Sequence, residues 1–142
     1  MSIGIIIVVV LVVGVAFVGI VAAVAIPSLL AARRASNESA TIGTLRSLGS
    51  AEAIYFADTQ TYGSFQDLRK ADLIDEPSTN GALLDGYRFT IISADEDGFE
   101  IKAEPDKQSN GTRSFNITED YTIRYKEGST APRGEAGTAL RP

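Results

Sequence analysis

The side chains that most often perform chemistry in proteins are scarce in this sequence. Its 142 residues include neither cysteine nor histidine, which excludes thiol nucleophiles, disulfides, Cys/His zinc sites and the usual proton carrier at neutral pH. No glycine-rich phosphate-binding motif of the G-x-G-x-x-G or G-x-x-x-x-G-K-[ST] type occurs. The sequence therefore predicts a protein that is not an enzyme and has no cofactor.

Five of the 18 acidic residues are grouped at two predicted turns. Asp95, Glu96 and Asp97 are consecutive, and Glu119 and Asp120 form a second acidic pair. Oxygen ligands suit Ca²⁺, so Asp95 and Asp97 are weak candidates for a calcium site. Three consecutive acids in a tight hairpin cannot all point at one ion, however. Solvated turns are the favoured interpretation, and no metal site is predicted.

Charge is distributed unevenly along the chain. Residues 1–32 contain no charged side chain, so all 13 Lys/Arg and all 18 Asp/Glu lie in residues 33–142, which carry the whole formal net charge of −5. Nucleic-acid binding requires clustered basic residues against phosphates. No nucleic-acid partner is therefore expected.

An unbroken apolar run occupies residues 3–26. At about 1.5 Å per residue, a helix of this length covers roughly 36 Å, enough to cross a hydrocarbon core of ~30 Å. The run is too long for the apolar region of a cleaved signal peptide, and no basic segment precedes it. We therefore expect a retained anchor. Pro27 removes one backbone donor, and together with Gly14 and Gly19 it predicts a soft point in the helix.

The sequence around Pro27 is specific enough to indicate a family. Residues 19–27 read GIVAAVAIP and residues 28–35 read SLLAARRA. This closely resembles the N-terminal helix of type IV pilins and type II secretion pseudopilins, which typically reads G-I-L-A-A-I-A-I-P and then a stretch like N-Y-L-A-A-R-N-A. Further segments resemble bacterial pilin-like proteins: LRSL at 45–48, AEAIY at 51–55, GYRFT at 86–90, GTRSF at 111–115 and IRY at 123–125.

The resemblance implies a structural subunit that starts in the inner membrane with its domain in the periplasm and ends in an extracellular pilus-like or pseudopilus-like filament. Arg33 and Arg34 argue for the reverse orientation under the positive-inside rule, but members of the family often have basic residues there. The implied partners are other copies of the chain, the membrane before assembly, and a pilus or secretion machinery. Such filaments serve adhesion, motility or secretion. Residues expected in filament-core contact are Ile6, Val10, Leu11 and Phe17, with Gly14, Gly19 and Pro27 giving flexibility.

One position departs from the pattern of the family. Its members have a glutamate near the start of the apolar helix, a hallmark of assembly and processing. Alignment on Pro27 places Val10 there, and no acidic residue precedes Glu38. Two alternatives therefore stay open. The chain is an uncleaved inner-membrane protein whose domain binds a periplasmic partner, or it is a minor or tip subunit.

Beyond Pro27 the helix becomes amphipathic. A stripe that should face a sheet recurs at three- and four-residue spacing and consists of Ile42, Leu45, Leu48, Ala51 and Tyr55, and charged residues such as Arg46 and Glu38 are placed off it. A second row, with members four residues apart, contains only small residues: Ala31, Ala35, Ser39, Gly43, Ser47 and Ala51. A ridge of small residues lets another backbone come close. It predicts packing against a neighbouring subunit's helix or against the domain's own sheet, unless it reflects chance in an Ala/Ser-rich segment.

The rest of the chain predicts a small sheet. Residues 64–74 read as a short helix with Ser64 as N-cap and Asp67 in a capping box, followed by a loop over residues 75–86. Strands are predicted at 87–93, 99–103, 113–118 and 121–126, and short turns favour antiparallel pairing. The predicted fold class is α+β, a long N-terminal helix packed on a roughly four-stranded antiparallel sheet. The predicted organisation is an apolar helix (1–27), a globular domain (28–126) and a mobile tail (127–142).

Overall fold

A computed structural model describes residues 2–141 of the protein. Two helices are followed by six strands. The helices are α1 (Ile3–Thr59) and α2 (Phe65–Lys70), and the strands are β1 (Ala82–Leu84), β2 (Tyr87–Ala94), β3 (Phe99–Pro105), β4 (Arg113–Thr118), β5 (Ile123–Glu127) and β6 (Thr138–Ala139). The chain divides into two compact units, Met1–Arg33 and Arg34–Pro142, which are described separately.

The first unit contains the apolar part of α1. The carbonyl of Ser2 accepts hydrogen bonds from the N–H groups of Ile5 and Ile6, and Pro27 lies inside the helix. The residues from Ile3 to Val21 are all exposed. Within residues 2–141 the structure thus has one helix long and apolar enough to cross a membrane, as the sequence predicted.

In the second unit, the amphipathic part of α1 packs on the sheet. Leu45, Leu48 and Ala51 are buried, and Ile42 is partly buried against the same core. The predicted stripe is confirmed at these four residues, and its fifth member, Tyr55, is partly buried. Every residue of β4 after Arg113 is buried, so both faces of this strand are covered. On the face toward α1, the buried apolar residues alternate along β2, β3 and β4. They are Tyr87, Phe89, Phe99, Ile101, Ala103, Phe115 and Ile117.

The short second helix begins as predicted and ends earlier. The Ser64 hydroxyl accepts a hydrogen bond from the Asp67 N–H at 3.3 Å, and the Asp67 carboxylate accepts one from the Ser64 N–H at 3.1 Å. This reciprocal pair is a capping box. The helix ends at Lys70 rather than Ile74, because Asp72 takes a positive φ of 56° and the Leu73 N–H closes back onto the Leu68 carbonyl.

Over residues 2–141 the sheet is antiparallel and has six strands, not four, in the order β1-β2-β3-β4-β5-β6. Every strand pairs with its neighbour in the sequence. Phe89 lies opposite Ala103, which lies opposite Phe115, so the apolar face continues across β2, β3 and β4. The register between β2 and β3 shifts further along, between Ile91 and Ser93. The α+β class and the helix-on-sheet architecture are confirmed.

Both unpredicted strands lie at the edges of the sheet. β1 falls in the predicted loop and β6 in the predicted mobile tail, and with three and two residues they are too short to show a period of two. Next to β1, the Asn80 side-chain oxygen accepts a hydrogen bond from the Ile91 N–H at 2.8 Å. This bond occupies a backbone donor of β2 beyond the end of its pairing with β1. The prediction for β5 was wrong at its start, because Tyr121 has a positive φ of 58° and the strand begins at Ile123.

The C-terminal segment, predicted as a mobile tail, packs on the outer face of the sheet. The N–H groups of Ala131 and Gly134 donate to the carboxylates of Glu104 and Glu100, both at 2.9 Å. The Asn116 side chain donates to the Gly134 carbonyl at 2.9 Å. Ala131 is itself buried. Polar side chains of the outer face therefore hold this segment by its backbone.

Candidate functional site

The predicted filament-core residues present an apolar surface that the chain itself leaves uncovered. Ile6, Val10, Leu11 and Phe17 are between 46% and 69% exposed, and a Cβ built at Gly14 or Gly19 meets no atom within 4 Å. Contiguous apolar surface on this scale marks a membrane or protein contact. The assignment of these residues, and of Pro27, to filament contact and flexibility stays a prediction.

The small-residue row of α1 does not pack on the domain's own sheet over most of its length. Ala31, Ala35, Ser39, Gly43 and Ser47 are exposed, and only Ala51 is buried. A Cβ at Gly43 would stand in open space. The alternative of tight intramolecular packing therefore applies to Ala51 alone, while contact with a neighbouring subunit stays a prediction.

The acidic turns are held by hydrogen bonds within the chain. Asp95 accepts from the N–H groups of Asp97 and Gly98 at 2.9 and 3.1 Å, so its carboxylate closes the turn between β2 and β3. Hydrogen bonds from the Arg124 side chain hold the pKa of Asp120 well below its usual range. Within residues 2–141, no group of three or more acidic side chains is arranged to hold a metal ion.

The most extensive polar contact is centred on Glu38, which sequence reasoning placed off the buried stripe. Its side chain is only 7% exposed. One carboxylate oxygen accepts from the Thr112 N–H at 2.8 Å, the Thr112 hydroxyl at 3.0 Å and the Arg113 N–H at 3.2 Å. The other accepts from Arg113 Nε at 2.8 Å and pairs with its terminal nitrogen at 2.7 Å. Glu38 therefore fastens α1 to the start of β4.

The electrostatics of this contact favour the charged form of the carboxyl. Burial raises the pKa of Glu38, but hydrogen bonds from Thr112 and Arg113 outweigh burial and hold the pKa below its ordinary value. The Arg113 guanidinium also lies over the rings of Tyr125 and Phe115, at 5.0 and 5.5 Å from their centroids. A charged pair, the start of β4 and two aromatic rings are thus coupled in one cluster.

A second buried glutamate has the opposite character. Glu52 is fully buried, and one of its oxygens accepts from the Gly63 N–H at 2.9 Å. Its other oxygen has no hydrogen-bond partner among the described residues. Burial raises the pKa of Glu52 to about 7, against a lowering by the Gly63 N–H, and the charge of Asp67 adds to the rise. Glu52 joins α1 to the loop before α2, but it is poorly solvated when ionised.

A signal for both glutamates was present in the sequence. Each lies seven residues from Leu45, and seven residues are close to two helical turns, so the three side chains share one face of α1. The buried stripe thus runs through Glu38 and Glu52, and neither belongs to the solvated side of the helix.

The apolar helix and the antiparallel sheet define an α+β protein, and the described part of the chain has one helix long and apolar enough to cross a membrane. These features are compatible with a pilin-like fold. No protein-family model matches the chain. No curated protein matches it either.

Substitution of Glu52 by glutamine is expected to flatten the pH dependence of stability. The folded-state pKa of Glu52 is about 7 and the ordinary value is 4.5. The contribution of Glu52 to the free energy of unfolding is therefore complete below pH 4.5 and is lost as the pH rises through 7. A neutral glutamine removes this loss, so Glu52→Gln should be more stable than the wild type by about 1–3 kcal/mol at pH 8. Chemical denaturation of the full chain in non-ionic detergent, repeated from pH 5 to pH 8, measures the difference.

Glu96→Gln serves as the control, because Glu96 is exposed in the turn between β2 and β3. It makes the same change in charge and should shift stability little at any pH. Parallel curves for the wild type and Glu52→Gln across this range would show that Glu52 does not titrate in the folded protein.

Proposed function

We propose that the protein is a structural subunit of an extracellular type IV pilus-like or pseudopilus-like filament, assembled through its N-terminal helix. The observation that carries the proposal is the exposure of every residue from Ile3 to Val21, all of them apolar or glycine. A helix that is apolar all round is stable only when lipid or other protein surrounds it. In the proposal, lipid surrounds it before assembly and equivalent helices surround it afterwards.

The distribution of charge and the sequence resemblance support this arrangement. The net charge of −5 belongs to residues 33–142, which would keep the domains soluble on the outside of a filament. The helices would pack in its core through van der Waals contact, in which small residues such as Gly14 and Gly19 let backbones approach. The residues that resemble the pilin helix, 19–35, lie across the end of the apolar run. No reaction is required of the domain in this role.

Removal of residues 3–26 is expected to abolish both membrane attachment and fibre formation. The full chain should be recovered from membranes and from sheared extracellular fibres, whereas the truncated chain should be a soluble monomer, because the surface that lipid or other helices cover has been deleted. Fractionation, electron microscopy of the sheared material and light scattering measure these properties. Fibres formed by the truncated chain would contradict the proposal.

Two point variants provide a matched control. Leu11 in the helix and Leu83 in β1 are 62% and 51% exposed, so Leu→Asp introduces the same charge at a similarly exposed apolar position. Leu11→Asp should prevent fibre formation, since a charge at the centre of a membrane helix costs about 2.5–3.5 kcal/mol. Leu83→Asp should leave fibres intact. Equal fibre formation by the two variants would contradict the proposal that the filament assembles through the N-terminal helix.

Val10 favours a second candidate, an uncleaved inner-membrane protein whose domain binds a periplasmic partner. It takes the position at which the resembled family has glutamate, and it is 65% exposed. This candidate predicts that the full chain stays in the membrane fraction and is missing from sheared fibres. A minor or tip subunit would instead occur in fibres at far below one copy per major subunit, which quantitative mass spectrometry of the fibres distinguishes.

A further inference from the structure

Arg34 is a partly buried cation without a carboxylate partner in the described chain. Its Nε atom is buried and has no hydrogen-bond partner there. Three other arginines, by contrast, form ion pairs: Arg88 with Asp106, Arg113 with Glu38 and Arg124 with Asp120. A guanidinium provides five N–H donors and cannot give up its charge. A buried, unpaired donor on such a group calls for an acceptor from outside the chain.

The acidic residue placed to neutralise Arg34 is engaged elsewhere. Glu38 follows it by four residues on α1, the spacing at which oppositely charged helical side chains meet. Both oxygens of Glu38 are occupied by Thr112 and Arg113, and the carboxylate pairs with the Arg113 charge at 2.7 Å. Glu38 therefore does not neutralise Arg34, and the Arg34 guanidinium is available to bind another anion.

Arg34 lines a cavity of about 180 Å³ in the second unit. A water molecule takes ~30 Å³ of liquid volume, so the cavity has room for a small polyatomic ion. Gln108 and Ser129 also line it, and their side chains are of types that donate hydrogen bonds. Among the described residues, none that lines the cavity is acidic. Gly111 and Gly128 also line the cavity and have no side chains to fill it. The Gly128 N–H and carbonyl are bound within the chain, to the Thr112 carbonyl and the Ser114 hydroxyl.

We propose that this cavity binds a phosphate group, with Arg34 as its charged ligand and the side chains of Gln108 and Ser129 as additional donors. Phosphate suits the site because arginine binds it through parallel, charge-assisted hydrogen bonds. The group is a free phosphate or the headgroup of an anionic phospholipid. Arg34 follows the apolar run 3–26 by eight residues in the sequence, and basic pockets near membrane spans bind lipid headgroups.

The test uses the full chain in non-ionic detergent, with inorganic phosphate as the probe at constant ionic strength. The ¹⁵N-detected Nε–H resonance of Arg34 should shift to saturation as phosphate is added. Arg34→Gln should weaken the phosphate affinity by about tenfold or more, as expected for the loss of a charge-assisted hydrogen bond, when binding is measured by ³¹P line broadening. Ser129→Ala should weaken it by a smaller factor.

Arg33→Gln is the matched control, because Arg33 is adjacent, exposed and of the same charge. It should leave the phosphate affinity within about twofold of the wild type, since exposed charges are screened by salt. A second arm inserts the chain in nanodiscs of phosphatidylcholine with or without phosphatidylglycerol, in phosphate-free buffer. A saturable Arg34 shift that requires phosphatidylglycerol assigns the lipid headgroup, and a shift with inorganic phosphate alone assigns the free ion.

Absence of a saturable Arg34 shift in both arms would overturn the proposal, as would equal weakening by Arg33→Gln and Arg34→Gln. Circular dichroism of each variant verifies that it is folded. The cavity lies entirely in residues 34–142, and the assay does not involve fibres. A failed fibre experiment and a failed phosphate experiment are therefore independent results.

Discussion

Substitution of Glu38 by alanine is expected to destabilise the folded domain by about 2–4 kcal/mol, because it removes the buried partner of a partly buried ion pair and leaves two backbone donors unpaired. The change leaves the Arg113 guanidinium and the N–H groups of Thr112 and Arg113 without the carboxylate that now binds all of them. Since a domain of this size has only about 5–15 kcal/mol of stability, much of the protein should be unfolded at moderate denaturant. Urea denaturation of the full chain in non-ionic detergent, followed by tyrosine fluorescence, measures the loss.

The pH dependence gives a second measure of the same contact. The folded-state pKa of Glu38 is lowered. Its contribution to the free energy of unfolding is therefore present above the ordinary pKa of a glutamate and disappears as the pH falls through the folded-state pKa. The difference between the wild type and Glu38→Ala should therefore narrow on acidification.

Asp106→Ala is the matched control for Glu38→Ala. The Arg88–Asp106 pair has a comparable length, but its side chains are 50% and 27% exposed, and exposed pairs contribute about 0–1 kcal/mol. An effect of Glu38→Ala no larger than that of Asp106→Ala would mean that the Glu38 cluster does not hold the helix to the sheet.

A methyl group added at Gly111 should destabilise the fold by about 3 kcal/mol or more, at the upper end of the usual cost of overpacking. A Cβ at this position would overlap the Tyr87 hydroxyl and lie 2.6 Å from its Cζ atom. Tyr87 has no room to retreat, because it is fully buried and its hydroxyl donates to the Arg113 carbonyl at 2.8 Å. Thermal unfolding of Gly111→Ala in the same detergent measures the effect.

Gly43→Ala makes the same chemical change without the collision. A Cβ at Gly43 meets nothing within 4 Å, and alanine is a better helix former than glycine by about 1 kcal/mol. Gly43→Ala should therefore match or exceed the wild type in stability. If Gly111→Ala were equally harmless, the packing of Tyr87 against the turn before β4 would be looser than the structure shows.

Sequence reasoning identified the elements with strong periodicity. The stripe of α1 through Leu45 and Leu48 and the alternation of Phe99, Ile101 and Ala103 in β3 each repeat often enough to define a buried face. The capping box of α2 was found because Ser64 and Asp67 have fixed chemistry at fixed spacing. β1 and β6 were missed because two or three residues contain no period, and their pairing depends on longer neighbouring strands.

The polar contacts were harder to predict, because they join residues distant in sequence. Glu38 and Thr112 are 74 positions apart, and nothing local distinguishes a glutamate that will be buried from one that will be solvated. The prediction placed Glu38 off the buried stripe, although its seven-residue spacing from Leu45, like that of Glu52, indicates the buried face. The C-terminal segment was expected to be mobile because it is poor in apolar residues, but its backbone is bound by Glu100, Glu104 and Asn116.

The short strands at the two margins of the sheet also protect the protein against amyloid-like aggregation. β1 offers three residues and β6 only two, and beyond β1 the Asn80 amide occupies the hydrogen-bonding groups of Ile91. A foreign strand would therefore find few free backbone groups to extend the ladder. Where many copies are crowded together, the short edge strands disfavour pairing between the sheets of neighbouring domains. Ordered association of the copies must then use other surfaces.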